Sequence, residues 1–510
     1  MSPLELENKF LDGTFRLKGD FANEQAKRQN LIDRCEKYAG WTLPHLFPDE
    51  NFDDNDESQY DYQSVGAQAV THLGNKVMMA LFQPSRPFYR NDLTDNQRNE
   101  IKAEFNLDDT KIDKALSDGE RAAMKLFNST NNRAVLTDLT MLLIITGNAL
   151  LDASVTDGMK FWSIRDYVIQ RDLSGNFTRI IFRETKAVVA LDDDLAAVAS
   201  AFNYHKDDEV TFYTCIQRVS KNRFLVHQEM EDVTYSHDVL GIYNKDTLPW
   251  IPLVWNRSRN KDYGTGLVEN YAGAFHTIST LAEAILDYTT ILTDVKTLVD
   301  PTGMTDVERI TKSPSGSYVP GREEDLFVHA PQVGAQADFL DKRFEAAARQ
   351  IAMAFLMNTA VTRDAERVTA EEIRQQANEL ESSLGGVYSR LANDLQLPLA
   401  KRLSREIDEA FEDIEPIIIT GLESLSRLSD LDRLRLFFQD AVALADIPDR
   451  VAERLDFEAL LNLLGTGHQV EHTKFMLSED QVKANRRETI EQNAAAAGQE
   501  AGAVATAQQG

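Results

Sequence analysis

From Leu267 to Val299 the chain runs without a proline, and apolar side chains recur at Leu267, Tyr271, Ala274, Ile278, Leu281, Ile285, Leu292, Val295 and Val299. That period predicts one continuous helix. At ~1.5 Å per residue it would reach about 50 Å, the size of a small domain, so no single ordinary core can bury it. Pro301, Gly303, Pro314, Gly316, Pro320, Gly321, Pro331 and Gly334 then punctuate residues 300–336, which predicts a compact, turn-rich excursion. A second amphipathic helix is predicted to return over 337–357, with Leu340, Phe344, Ala348, Ile351 and Phe355 on one stripe. Two such helices around a small insert predict a projecting stalk with a knob at its tip. Copies of the chain packed side by side are the simplest way to bury both stripes.

At 510 residues and 43% hydrophobic the chain has apolar content for more than one core. Two cysteines, Cys35 and Cys215, are too few for a disulfide framework and point to a reducing birthplace. The amino terminus, MSPLELENKF, carries acids where a secretory leader needs bases. The most apolar run, Met141 to Leu151, is interrupted by Thr146, Gly147 and Asn148 and falls far short of the ~20 residues of a membrane span, so no membrane segment is expected. Net charge is -28, from 82 acids against 54 bases. A protein that grips phosphates broadly has the opposite balance, so contacts with nucleic acid are expected to be local or weak.

The predicted class is α+β, mainly helical. Helices are expected over 22–39, 64–82, 118–130 and 133–151, followed by a strand-rich block over 160–256 that includes Phe177 to Phe182 and Glu209 to Arg218. Ser174-Gly175-Asn176 marks a turn there, and the βαβ alternation of a nucleotide-binding sheet is missing. After the return helix, the polar segment Asn358 to Val368 meets a capping box at Thr369 and Glu372. The helix it opens passes Gly385-Gly386 and Pro398, residues costing roughly 1 and 3 kcal/mol in a straight helix, so a bend is expected. Helices are also predicted over 430–445, 449–463 and 478–492, the last capped by Ser478 and Gln481, before a low-complexity tail over 493–510.

Catalytic signatures are missing. There is no Gly-x-x-x-x-Gly-Lys-Ser/Thr phosphate loop and no Gly-x-Ser-x-Gly elbow. Gly264-Thr-Gly266 lacks a preceding strand and reads as a helix start rather than a dinucleotide loop. His468 and His472 have the spacing of two ligands on one helix face but lack the glutamate of His-Glu-x-x-His. Asp192-Asp193-Asp194 reads as a solvated turn more readily than as a two-metal nuclease site, and the acidic stretch Asp49 to Asp61 as a solvated loop more readily than a calcium site. No enzyme, metal or cofactor is expected.

Four blocks nevertheless carry a specific pattern: RDAERVTAEEIRQQANELESSLGGVYSRLANDLQLPL from Arg363 to Leu399, TGLESLSRLSDLDRL from Thr420 to Leu434, VGAQAVTHLGNKVMMALFQP from Val65 to Pro84, and DPTGMTDVERITKSPSGSYVPGREEDL from Asp300 to Leu326. In this order, and over most of the chain, they resemble the head-to-tail connector (portal) proteins of short-tailed bacteriophages. The resemblance implies a portal fold assembled as a ring of twelve around a channel for double-stranded DNA. It implies a wing over 1–266, a stem helix over 267–299, a clip over 300–336 and a stem return helix over 337–357. A tunnel loop would follow over 358–368, then a kinked wing helix and connection over 369–421 and a crown over 422–492.

The same resemblance implies that the clip meets the large terminase subunit and later a tail adaptor, with Lys312, Ser315, Tyr318 and Arg322 as candidate contacts. Scaffolding, capsid and internal core proteins are implied as further partners, with assembly in the host cytoplasm and residence in the virion. Asn358, Thr362, Arg363, Asp364 and Arg367 fall in the tunnel loop. Lys342, Arg343 and Arg349 are candidate channel-facing bases on the return helix, alternatively paired with acids such as Asp341, Glu345, Asp364 and Glu366. A ring-forming tail adaptor, and a metal-dependent nuclease using Asp192 to Asp194, are the alternative functions.

Overall fold

Gly147 turns the most apolar run of the chain from helix into strand. Helix Asn132–Thr146 is buried along its whole second half, from Leu139 to Thr146, as expected of an all-apolar helix inside a core. Gly147 then adopts the left-handed conformation (φ 77) and donates its N–H to the Leu143 carbonyl at 2.9 Å, a glycine C-terminus. The helix predicted over 133–151 therefore ends at 146, and Asn148 to Asp152 forms the central strand of a sheet.

This computed structural model describes residues 17–419 except 50–60, 84–86, 106–107, 157, 192, 232–240, 294–295, 330–333, 358–382, 385 and 408–413; beyond 419 it describes 436, 437 and 439. By internal contacts the chain divides into Met1–Leu422 and Glu423–Gly510. Apart from 436, 437 and 439, the crown over 422–492 lies outside the described residues, as do the tail over 493–510 and the pair His468 and His472.

In chain order the strands are β1 Tyr89–Asn91, β2 Asn148–Asp152, β3 Lys160–Ser163, β4 Tyr167–Arg171, β5 Phe177–Ala187, β6 Glu209–Ser220, β7 Arg223–Met230, β8 Gly241–Asn244, β9 Trp250–Val254, β10 Lys296–Val299, β11 Leu326–His329 and β12 Pro416–Ile418. They form a five-stranded meander β4-β5-β6-β7-β8, a three-stranded sheet β3-β2-β9, and the pairs β1-β12 and β10-β11, all antiparallel. The expected strand-rich block is present, interrupted by helix Asp193–Ala201. The meander alternates as a two-sided sheet must. Tyr167, Ile169, Ile180, Phe182 and Ile216 share one core with Leu150, whereas Val168, Ile181 and Cys215 face Leu17 and Phe21 of helix Leu17–Ala26.

That helix corrects a second expectation. In place of one helix over 22–39 there are two, Leu17–Ala26 and Gln29–Gly40. The break is anchored by Arg28, a buried base whose Nη1 donates to the Tyr263 hydroxyl at 3.1 Å and whose guanidinium lies 5.2 Å from that ring. Helix Val65–Leu81 matches its prediction, while the next begins earlier, at Asp109 instead of 118, because Ile112 and Leu116 have a small core of their own with Leu93.

Helix Val387–Leu391, a π-helical turn Ala392–Gln396 and helix Leu397–Ile407 run on from one another; Gly386 before them is left-handed (φ 82). The expected interruption is thus a widened turn immediately before Pro398, which has no N–H to return to the preceding turn. Tyr388 donates its hydroxyl to the Ala80 carbonyl at 3.0 Å, and Arg390 Nη1 donates to the Trp255 carbonyl at 2.7 Å. This segment therefore closes the main core.

At the end of β2, Asp152 Oδ1 accepts from the Ser154 N–H (3.1 Å) and hydroxyl (2.7 Å), yet burial dominates and raises its pKa above the usual carboxylate value. A raised folded-state pKa means that ionising Asp152 opposes folding, and the penalty appears as pH rises from the ordinary value near ~4 through the folded one. Asp152→Asn, which keeps the acceptor oxygen, is expected to melt higher than the native chain at pH 7. The gap should shrink as pH falls through the raised folded-state pKa and be gone below ~4, and a gap unchanged across a calorimetric pH series would refute the assignment.

Candidate functional site

The helical excursion begins at the glycine pair singled out above. Gly266 is extended and precedes the single turn Leu267–Asn270, so the helix-start reading holds. A Cβ on Gly264 would come within 2.2 Å of Val254 Cγ1, and one on Gly266 within 2.4 Å of the Ile145 carbonyl oxygen, so backbone proximity demands glycine at both. Tyr271 interrupts the helix, and the outgoing helix proper is Ala272–Thr293. Its 22 residues give ~33 Å rather than the ~50 Å expected. The remainder, Lys296 to Val299, is β10, paired with β11 in the register Lys296↔His329 to Val299↔Leu326. Thr297 and Val299, β-branched and just before a proline, favour the strand once a partner is in place. The return helix is Gly334–Ala354, starting inside the predicted 300–336 insert.

The roots of the two helices are buried together. Phe355 meets Phe275 edge-on with centroids 5.6 Å apart and Tyr271 at 6.1 Å, and Ile278 and Ile351 are fully buried beside them. Away from the root the apolar stripe opens to solvent. Leu286 is 55% exposed and Phe339 58% exposed, and on the insert Leu298, Met304, Tyr318 and Phe327 are exposed too.

Within the insert, Asp325 is the pin. Its Oδ2 accepts the Thr305 N–H at 3.1 Å and hydroxyl at 2.6 Å, its carbonyl accepts the Asp300 N–H at 3.0 Å, and Thr305 Oγ1 in turn accepts the Arg322 N–H at 2.9 Å. Asp300 Oδ1 takes both the hydroxyl (2.7 Å) and the N–H (2.8 Å) of Thr302, which hold its carboxyl below the usual range. Asp306 caps helix Val307–Lys312 by accepting the Arg309 N–H at 3.2 Å. None of these contacts was anticipated from sequence; the Asp-Pro-Thr-Gly turn at 300–303 was the only visible signal.

The candidate contact residues fall as follows. Lys312 and Tyr318 border one open groove of about 590 Å³ with Asp306, Glu308, Arg309 and Ser317. Lys312 pairs with Glu308 at 3.2 Å, both side chains well exposed, a pair worth only ~0.3–0.5 kcal/mol. Ser315 and Arg322 are exposed outside that groove. Lys342, Arg343 and Arg349 are exposed on the return helix. Arg349 pairs with Glu345 at 3.3 Å, the alternative weighed above, and Arg343 lies 5.4 Å from the Phe339 ring. Asn358, Thr362, Arg363, Asp364 and Arg367 lie outside the described residues, as do Glu366 and Asp192. Asp193 and Asp194 open helix Asp193–Ala201. Among the described residues no group of three or more His, Cys, Asp or Glu is placed to hold a metal ion, and no helix is long and apolar enough to cross a membrane.

Comparison with known proteins bears on the whole chain. The profile of the family described as bacteriophage head to tail connecting protein matches residues 16–471. The portal protein of Escherichia phage T7 is 32% identical over 515 residues, covering 97% of this chain and 92% of its own length. Those of Enterobacteria phages T3 and SP6 are each 34% identical, covering 92% and 81% of this chain and 90% and 80% of their own lengths. Among solved structures, the neck of an empty GTA particle aligns with a TM-score of 0.37 at 13% identity, covering 78% of this chain and 90% of its own.

Proposed function

Because the chain belongs to the bacteriophage head to tail connecting proteins, we propose that twelve copies assemble into a ring at one capsid vertex, with a central channel through which double-stranded DNA is packaged, retained and ejected. The role is structural, and the protein is a virion component. The observation that carries the ring is the uncovered apolar surface of the helical excursion: among the described residues, Leu286, Phe339 and Met353 of the two helices and Leu298, Met304, Tyr318 and Phe327 of the insert are exposed in the single chain. Side-by-side packing of identical excursions would cover it, and cyclic symmetry closes such an interface without leaving an open end.

In this reading the two helices are the stem and the insert is the clip, the surface offered to the large terminase subunit and then to the tail adaptor. Scaffolding, capsid and internal core proteins would meet other faces during assembly in the host cytoplasm. Arg363 and Arg367 are proposed as a basic collar at the tunnel loop, and residues 422–492 as the crown. A chain of net charge -28 presents DNA with a mostly repelling wall, so the duplex slides and a separate motor supplies the work.

Electron microscopy of the purified chain tests the assembly: winged rings with a central hole are expected, and isolated monomers would overturn the proposal. Replacing residues 306–320 by a short glycine-serine linker leaves Thr305 and Asp325 in place. Rings should still form, but terminase capture in a pull-down should be lost. Failure of the rings would make the insert a structural element instead.

A further inference from the structure

One end of the five-stranded sheet concentrates positive charge in a chain that is otherwise acidic. The β4–β5 turn, the β6–β7 turn and the end of β8 all lie there, because Arg171 pairs with Phe177, Ser220 with Arg223, and Arg223 with Asn244. The loop over 256–263 joins the same end. Asp262 Oδ1 accepts the Arg171 N–H at 2.7 Å, and the Arg257 guanidinium covers Gly175 so closely that a Cβ there would come within 2.7 Å of its Nη1.

These four segments hold eight bases against three acids, while the whole chain is at -28. Lys221 and Arg223 on the β6–β7 turn, Lys245 beyond β8, and Arg257, Arg259 and Lys261 on the loop are all exposed. The acids are already engaged: Asp172 Oδ2 pairs with Arg218 at 3.0 Å, Asp246 pairs with Lys401 at 2.8 Å, and Asp262 Oδ1 takes the Arg171 main-chain N–H. Among the described residues none of the six exposed bases is in an ion pair. Six exposed bases therefore face outward against one unpaired acid, Asp262.

From β4 to β8 the row crosses four strand intervals of ~4.8 Å, about 19 Å in all. Along that distance duplex DNA presents roughly eleven phosphates at one per ~1.7 Å. We infer that this sheet end is a docking face for the phosphate backbone of duplex DNA, distinct from the tunnel loop and resting on the reading of the chain as a DNA-handling connector. Flexible lysine and arginine heads carried in a line on turns suit a regular linear polyanion, and contacts of this kind hold a duplex without reading its bases.

Fluorescence anisotropy of a labelled duplex of ~20 bp with the full chain, over roughly 50–200 mM salt, tests the inference. K221Q/R223Q/K245Q is expected to weaken binding tenfold or more at the lowest salt and to flatten the log–log salt dependence by about three. K111Q/K114Q/K125Q, on exposed bases of helix Asp109–Ser129, should bind as the native chain does. Native affinity in the first variant, or equal loss in both, overturns the inference. So does a first variant with unchanged DNA affinity and altered particle mass, since the face would then meet another copy of the chain. Micrographs of the same samples separate the two readings: native rings that bind no DNA sink the docking face alone, whereas a native chain without rings sinks the connector assembly.

Discussion

Replacing Asn148 by alanine is expected to cost about 3–5 kcal/mol of folding stability, the sum of two or three buried polar groups left unpaired at ~1–3 kcal/mol each. The fully buried amide of Asn148 joins segments more than a hundred residues apart. Its Nδ2 donates to the Thr146 carbonyl at 3.0 Å and the Gly264 carbonyl at 2.9 Å, while its Oδ1 accepts the Gly264 N–H at 2.8 Å. The chain packs closely around the clasp, since a Cβ on Gly264 would come within 2.3 Å of the Asn256 carbonyl oxygen and one on Gly266 within 2.4 Å of that of Ile145. Asn148→Asp should fare no better, because a carboxylate cannot donate to either carbonyl. Chemical denaturation of both variants checks this, and a loss below ~1 kcal/mol in the alanine variant would show that the clasp is dispensable.

Phe355→Ala is expected to cost a similar ~3–5 kcal/mol, but with a different geography. Phe355, just past the return helix, packs on Phe275 and Tyr271 at the root and is fully buried with Ile278 and Ile351. Its truncation should loosen the excursion while the meander, whose cores contain no residue of either helix, stays intact. Hydrogen exchange should therefore speed up over Ala272–Thr293 and Gly334–Ala354 and remain unchanged in β4 to β7. Uniform acceleration through the meander would mean that the root is not a separate unit of stability.

What could be read from sequence divides by the range of the interaction that decides it. Helix Val65–Leu81 was legible because its own period fixes it. The end of the outgoing helix was not: Leu292, Val295 and Val299 satisfy a helical template, and only pairing with Leu326–His329 turns Lys296–Val299 into strand. Gly147 interrupts the apolar run in sequence, but the Thr265 and Gly266 backbone that would crowd any Cβ there comes from far along the chain. At the split before Gln29, Arg28 is held by Tyr263, a partner too far along the chain to be read locally. In the insert the turn chemistry was visible while the Thr305–Asp325 pin was hidden by its separation. The groove unites Lys312 and Tyr318 alone among the four candidates, since Ser315 and Arg322 share only sequence proximity with it. The four family blocks, by contrast, needed no contacts to be recognised, and the match over 16–471 agrees with them.

The widened turn Ala392–Gln396 has a consequence for chain length. Leu391, Leu395, Leu399 and Leu403 follow in steps of four, and all four are buried. In an unbroken α-helix each step of four overshoots a full turn by ~40°, so the last leucine would drift ~120° from the first and leave the core. The π turn, closing its hydrogen bonds at i→i+5, advances each residue by less and pulls the series back into line. With one residue fewer between Leu391 and Leu395, a plain α-helix would present the same leucines at steps of three, four and four, also on one face. The turn therefore acts as a vernier that absorbs one extra residue, leaving the core on either side of Pro398 in phase.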